Sequence, residues 1–293
     1  MLYYLLQPLA RDVRVFNLLN YITFRSAAAF VSALLLTFVF GPVIIRRLRA
    51  MAVHQVVREG TPDTHAGKGT TPTMGGLIIL AATFVPVLLW ARLSNRYVLL
   101  AVAVTAWMGM IGFLDDYLKL RQKRAGMKNE GLVERYKLAG QITCGLGLGA
   151  ILLLFPVSTL PGASTTLPFF KYLLVVPAVA WAAWMYIPWV TFILTGFSNA
   201  VNLTDGLDGL AAGLMAIAVL TLGLFAYVAG RVDTSAYLQI FYLRGAGELT
   251  VFCAAVVGAC IGFLWYNAHP AQVFMGDTGS LALGGALGAI AIR

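Results

Sequence analysis

Charge is what this chain has least of. Asp, Glu, Lys and Arg make up 11% of its 293 residues, against about 25% in an ordinary soluble domain. Hydrophobic residues account for 60% and the mean hydropathy is +0.82, which excludes water as the main solvent. Cysteine is scarce as well. Cys144, Cys253 and Cys260 each lie inside an apolar run, where a thiol is a small packing residue rather than part of a disulfide or metal set. The N-terminal segment lacks the ordered basic, apolar and small-residue regions of a removable signal peptide, so insertion is expected to begin at the first span. Although the net charge is +9, no extended basic domain is present to track a nucleic-acid backbone. The basic residues sit in short loops beside apolar spans, so the expected partner is a lipid bilayer with anionic head groups and not nucleic acid.

What the chain has in abundance is apolar runs of roughly 17 to 25 residues, the length that crosses a hydrocarbon core of about 30 Å as helix. They predict spans near 22–44, 73–91, 97–114, 138–155, 172–194, 209–229 and 247–265, with an eighth starting near 278 and still running at Arg293. The expected fold is all-α: one polytopic transmembrane helix bundle of about eight spans occupying 1–293. Pro177 and Pro188 predict a kink in the fifth span.

Alternating the connections across the bilayer separates 45–72, 115–137, 195–208 and 266–277 from the rest. Lys and Arg favour that set modestly, which makes it cytoplasmic under the positive-inside rule. The acidic residues divide more sharply. Glu59, Asp63, Asp115, Asp116, Glu130, Glu134, Asp205, Asp208 and Asp277 fall on that side, with His54, His65 and His269; only Asp12, Asp233 and Glu248 do not. Carboxylates converging from separate loops on one face read as an active site at the membrane surface.

Within those loops Asp115 and Asp116 follow an apolar run and are expected at the end of the third helix. There two adjacent carboxylates face the negative end of the helix dipole and repel each other. A metal or one of Lys119, Arg121, Lys123 and Lys128 would compensate. Asp205 and Asp208, in Asn-Leu-Thr-Asp-Gly-Leu-Asp-Gly-Leu, are three apart and share a face if the turn is helical. Asn, Asp and Gly also suit plain caps and turns, but four polar residues at the mouth of an apolar helix exceed what capping needs. Gly276-Asp277-Thr278-Gly279-Ser280 opens the eighth span, where exposed amides would suit an anion and Asp277 a hard cation. Phe274 can stack on a base or anchor at the interface. The segment from Thr64 to Gly76 offers Lys68, hydroxyls and glycines for close approach to a phosphate, without the spacing of a Walker A loop.

Thr71-Pro-Thr-Met-Gly-Gly76, Asp115-Asp116-Tyr117, Asn202-Leu-Thr-Asp-Gly-Leu-Asp-Gly-Leu210 and Pro270-Ala-Gln-Val-Phe-Met-Gly-Asp-Thr-Gly-Ser280 together closely resemble, in order, the phospho-N-acetylmuramoyl-pentapeptide transferases. These belong to the polyprenyl-phosphate N-acetylhexosamine-1-phosphate transferases of glycosyltransferase family 4. The resemblance implies transfer from UDP-N-acetylmuramoyl-pentapeptide to undecaprenyl phosphate, giving lipid I and UMP, with Mg2+. It further implies a homodimer in the bacterial cytoplasmic membrane, with its active site on the cytoplasmic face.

By motif position the resemblance makes Asp277 the Mg2+ ligand and Asp115 and Asp116 the catalytic pair. Asn202, Asp205 and Asp208 become companions in the cleft, Lys68 and Thr73 substrate contacts, and Asn267 and Phe274 the nucleotide side, with Phe274 stacking on uracil. Thr70 stands where the family pattern has Gly. The family continues past the point where this chain stops, so a C-terminally truncated form is expected. The rival readings are a related transferase with another UDP-sugar donor and, from a different class, a cation-coupled transporter. The latter would place its polar groups near the bilayer midplane in repeated halves, and no halves repeat here.

Overall fold

The computed structural model describes residues 2–8, 13–51, 71–124, 131–155, 165–166, 174–175 and 183–292. A short helix α1 (Leu2–Leu6) and a 3-10 turn (Arg14–Asn20) precede α2 (Ile22–Ala50), α3 (Gly76–Trp90), α4 (Arg96–Arg124) and α5 (Glu134–Leu154). Two-residue strands β1 (Thr165–Thr166) and β2 (Leu174–Val175) then pair antiparallel. The chain continues through α6 (Tyr186–Thr204), α7 (Leu210–Ala229), the short α8 (Val232–Leu238), α9 (Leu249–Asn267) and α10 (Gly276–Ala291). Among the described residues five helical stretches are long and apolar enough to cross a membrane: Ile22–Ala50, Arg96–Gln122, Glu134–Leu154, Leu210–Ala229 and Ala246–Asn267. The protein is an all-α, multi-pass membrane protein.

Its centre is made of the two helices that come last. Along α10 every residue from Thr278 to Ile290 is buried, and α9 is buried over most of its length. α9 packs against α2 and α7, α10 against α4 and α6, and α3 touches both central helices. The composition of α10 explains its place. Lipid tails are as apolar as leucine, so helices associate in a bilayer by close packing, which small residues permit. Gly284 meets the Phe197–Ser198 backbone of α6, and Gly285 meets Met108 of α4. The outer helices are apolar toward lipid instead: α7 exposes Leu214, Ile217, Leu220 and Leu224.

Two of the expected spans end well away from where hydropathy put them. The third span does not end at residue 114, because α4 continues to Arg124. Leu118 to Gln122 are good helix formers, Asp115 and Lys119 form an ion pair one turn apart, and Leu120 is buried in the core. The fifth helix runs on to Thr204, past the expected end at 194; most of the expected 172–185 lies outside the described residues. Its polar end, counted as loop by hydropathy, lies on a protein-facing side: Ser198 and Val201 are buried there. Pro188 falls in the first turn of α6, where backbone amides lack helical acceptors, so it imposes no kink. Pro177 lies outside the described residues.

Candidate active site

The carboxylate side chains of Asp115, Asp116 and Asp277 each place an oxygen within 4.8 Å of the others. They come from α4 and from the first turn of α10, held together by backbone contact. A Cβ on Gly112 would strike the Asp277 carbonyl, and one on Gly76 would strike the Gly279 backbone. Opposite them, the Thr-Pro-Thr-Met-Gly-Gly segment runs beside the loop before α10. Phe274 donates its amide to the Pro72 carbonyl at 2.9 Å, and Gly75 and Gly76 donate to the carbonyls of Phe274 and Met275 at 2.8 Å. Met74 adopts a left-handed conformation (φ 74°) in this turn, a strained geometry for a non-glycine residue that recurs at functional sites.

The two adjacent aspartates have different work. Asp116 accepts hydrogen bonds from the amides of Asp277 (3.3 Å) and Thr278 (2.9 Å) and from the Thr278 hydroxyl (2.6 Å). It therefore caps α10, a favourable place for a negative charge. The Gly276 amide donates to Asp205 at 3.2 Å. The amides expected to hold an anion at this helix start are thus engaged by carboxylates. Asp115 accepts the Leu132 amide on Oδ1 at 2.7 Å, while its Oδ2 is held by the Lys119 ammonium at 2.5 Å.

Asp277 is the hub. Its Oδ1 accepts from Asn202 Nδ2 at 2.7 Å, and its Oδ2 from Lys119 at 3.0 Å and Lys137 at 2.7 Å. Asn202 also reaches Ser280 Oγ at 2.8 Å. The Lys119 ammonium lies between Asp115 and Asp277, a position where a bound cation would meet oxygen ligands alone. Such a ligand set suits a hard divalent ion, so these residues fit a metal.

Asp205 and Asp208 do not share a helical face, since α6 ends at Thr204 and both lie in the turn before α7. Burial pushes the Asp205 carboxyl up to about 7; the Gly276 amide opposes this, and the charges of Asp277 and Asp116 reinforce it. Between about pH 4 and pH 7 the folded chain therefore binds a proton here that the unfolded chain has released. The stability it confers is fully present below the unfolded pKa and is lost as pH rises through about 7. Thermal unfolding in detergent should show a component falling by at most about 1.4 kcal/mol per pH unit across that window. Asp205→Asn should remove it, and an unchanged slope in the variant would assign it to another group.

A second group lies beside the hub. Asp208 Oδ2 lies 3.1 Å from His269 Nδ1 and 3.4 Å from the Ala271 amide that donates to it. Asn267, 2% exposed, accepts the Gly209 amide at 3.1 Å and donates to the Val273 carbonyl at 3.0 Å, so it ties this turn to the loop carrying Phe274. Phe274 is half-buried. Thr73 joins the main centre: a Cβ on Gly276 would lie 3.0 Å from its hydroxyl and 2.9 Å from Asp116 Oδ2. Lys68, His54 and His65 lie outside the described residues.

The family profile described as glycosyl transferase family 4 matches residues 98–293. The chain belongs to glycosyl transferase family 4. Along its whole length it is 90% identical to a protein named phospho-N-acetylmuramoyl-pentapeptide-transferase from Gemmatimonas aurantiaca, covering 77% of that protein. It is 50% identical to proteins of the same name from Pelobacter propionicus and a Geobacter species, covering 78% of each. As a member of glycosyl transferase family 4, the chain places the carboxylates of α4 and α10 inside the matched region. Lys137 escaped the sequence reading altogether. Seven basic residues lie between 115 and 137, and nothing in their spacing singles out the one on α5 that folds back onto Asp277.

Proposed function

We propose that this chain transfers phospho-N-acetylmuramoyl-pentapeptide from UDP-N-acetylmuramoyl-pentapeptide to undecaprenyl phosphate, giving lipid I and UMP in peptidoglycan synthesis. The observation that carries the reading is the Asp115, Asp116 and Asp277 cluster closed by Lys119 and Lys137, in a chain so similar to proteins of that name. The setting we assign is the cytoplasmic face of the bacterial inner membrane, with the enzyme as a homodimer and Mg2+ as its metal.

The acceptor is a phosphate monoester with a second pKa near 6, so it is largely dianionic at neutral pH and needs no strong base. The obstacle is bringing two anionic phosphates together. Asp277, with Asp115 alongside, would hold Mg2+, which would supply neutralisation of that charge. Lys119 and Lys137, already on Asp277, are placed to reach phosphate oxygens as point charges. The acceptor oxygen attacks the β-phosphorus of the donor in line, its new P–O bond forming as the bond to the UMP oxygen breaks. Asp115, whose Oδ2 faces the Lys119 ammonium that it shares with Asp277, is better suited to orient the acceptor or take its remaining proton than Asp116, which is engaged in capping α10. Asn202 and Asp205 hold the cleft beside Asp277. Asp208 is their companion in the cleft, Thr73 and Lys68 contact substrate, and Asn267 and Phe274 form the nucleotide side, with the Phe274 ring stacking on uracil. A phosphorylated enzyme trapped without acceptor would replace direct attack by a covalent route.

The deciding assay is UMP release by the detergent-purified protein with Mg2+ and undecaprenyl phosphate, offering UDP-N-acetylmuramoyl-pentapeptide and UDP-N-acetylglucosamine separately. Release with the first donor alone is expected. Release with the second alone would move the assignment to an N-acetylhexosamine-1-phosphate transferase.

A further inference from the structure

One helical turn from the site, a buried glutamine on α5 and a half-buried asparagine on α6 pair with each other and have no role in it so far. Gln141 is 1% exposed on an apolar helix. Its amide and that of Asn199 clasp each other between α5 and α6: Asn199 Nδ2 donates to Gln141 Oε1 at 2.8 Å, and Gln141 Nε2 donates to Asn199 Oδ1 at 3.4 Å. Asn199 is further fixed by donating to its own helix at the Thr195 carbonyl, 2.9 Å away.

The clasp closes a zipper of residues spaced four apart. Lys137, Gln141, Gly145 and Gly149 form one row along α5, and such a row shares a helix face. On α6 the facing row is Asn199, Thr195, Thr191 and Ile187: a Cβ on Gly145 would lie 2.7 Å from Thr191 Cα, and one on Gly149 would lie 2.9 Å from Ile187 Cα. The glycines bring the two backbones together but, having no side chains, leave rotation about the helix axes weakly specified. A reciprocal amide pair restricts that freedom, because its bonds lengthen when either helix turns. Trp107 of α4 adds a third tie by donating to the Gly140 carbonyl at 3.0 Å.

Rotation matters because of what lies one turn on. Lys137 on α5 and Asn202 on α6 reach opposite oxygens of the same Asp277 carboxylate, each at 2.7 Å. A small rotation of either helix would lengthen one of these contacts.

We propose that the Gln141–Asn199 pair is a positioning device for the transfer reaction, setting the rotation of α5 against α6 so that Lys137 and Asn202 engage Asp277 together. It rests on the reading of Lys137, Asn202 and Asp277 as working residues of the transferase. The pair touches no reacting atom and acts through those two side chains.

The test uses Gln141→Met, which keeps the volume without the amide, and Gln141→Asn, which keeps the amide but cannot span the gap. The exchange variant Gln141→Asn with Asn199→Gln rebuilds the pair with its members reversed. Steady-state UMP release should show kcat lowered about ten- to a hundredfold in both single variants, the order expected of a misplacement of about 1 Å. Donor KM should stay within about twofold and the thermal unfolding midpoint should be nearly unchanged. The exchange variant should recover kcat to within about threefold of the parent protein. Unaltered kcat in the single variants, a kcat loss that only follows a loss of thermal stability, or an exchange variant no better than Gln141→Asn would each overturn the proposal. Should Gln141→Met fail to fold, Gln141→Asn and its exchange partner decide alone. Absence of UMP release from the parent protein with either donor would instead sink the transferase reading on which the proposal rests.

Discussion

Replacing Asp277 by Asn should lower kcat for UMP release by at least about a thousandfold, the scale of several kcal/mol of lost charge stabilisation. The side chain keeps its size, and the α10 cap made by Asp116 uses the backbone amides of Asp277 and Thr278, so the helix start remains intact. What changes is charge. Asp277 receives Asn202, Lys119 and Lys137 on its two oxygens, and a neutral amide would leave both ammonium groups without their shared counter-ion. Loss of kcat with little change in thermal unfolding is the expected pattern. A variant within tenfold of the parent rate would remove Asp277 from the chemistry and shift the metal-ligand assignment to Asp115 and Asp116.

At the opposite end of the bundle a stability effect of similar weight is expected from Arg25→Ala. Arg25 is fully buried near the start of α2 and forms a two-pronged pair with Glu248, at 2.6 and 2.7 Å. It also donates to the Trp90 carbonyl at 3.3 Å and lies over the Tyr3 ring, 5.0 Å from its centroid. Removing one partner strands the other charge in an apolar interior, at a cost of about 3–5 kcal/mol, whereas removing both charges in favour of apolar groups is often neutral. Thermal unfolding should therefore show a large loss for Arg25→Ala and recovery of most of it in the double variant Arg25→Met with Glu248→Leu. Equal losses in the two would mean that side-chain packing rather than charge fixes this corner. Arg92, 3.5 Å from Glu248, is too distant to replace Arg25 fully.

Hydropathy located the helices well wherever a span faces lipid. It failed where a polar residue faces another helix. Asn199 and Asn202 read as loop because their partners, Gln141 and Asp277, are far away in the chain, and Asp115 and Asp116 read as a helix end although α4 continues beyond them. The carboxylates of the site were legible from sequence because carboxylates at the ends of apolar spans are costly without a purpose. Their division of labour was not, since adjacent positions on α4 differ by about a hundred degrees of rotation, and only packing against α10 decides which one caps it. Lys137 and the Arg25–Glu248 pair depend on long-range contact and carry no local signature.

A helix enclosed by protein has no stake in the bilayer around it. The outer helices, with leucines and isoleucines against lipid, must answer to bilayer thickness by tilting or by thinning the lipid beside them. α10, enclosed from Thr278 to Ile290, has no such face, so Asp277 keeps its depth relative to α4 and α6 rather than to the membrane. Transfer between thin and thick bilayers should thus alter how the substrate lipid reaches the centre more than the spacing of the carboxylates that receive it.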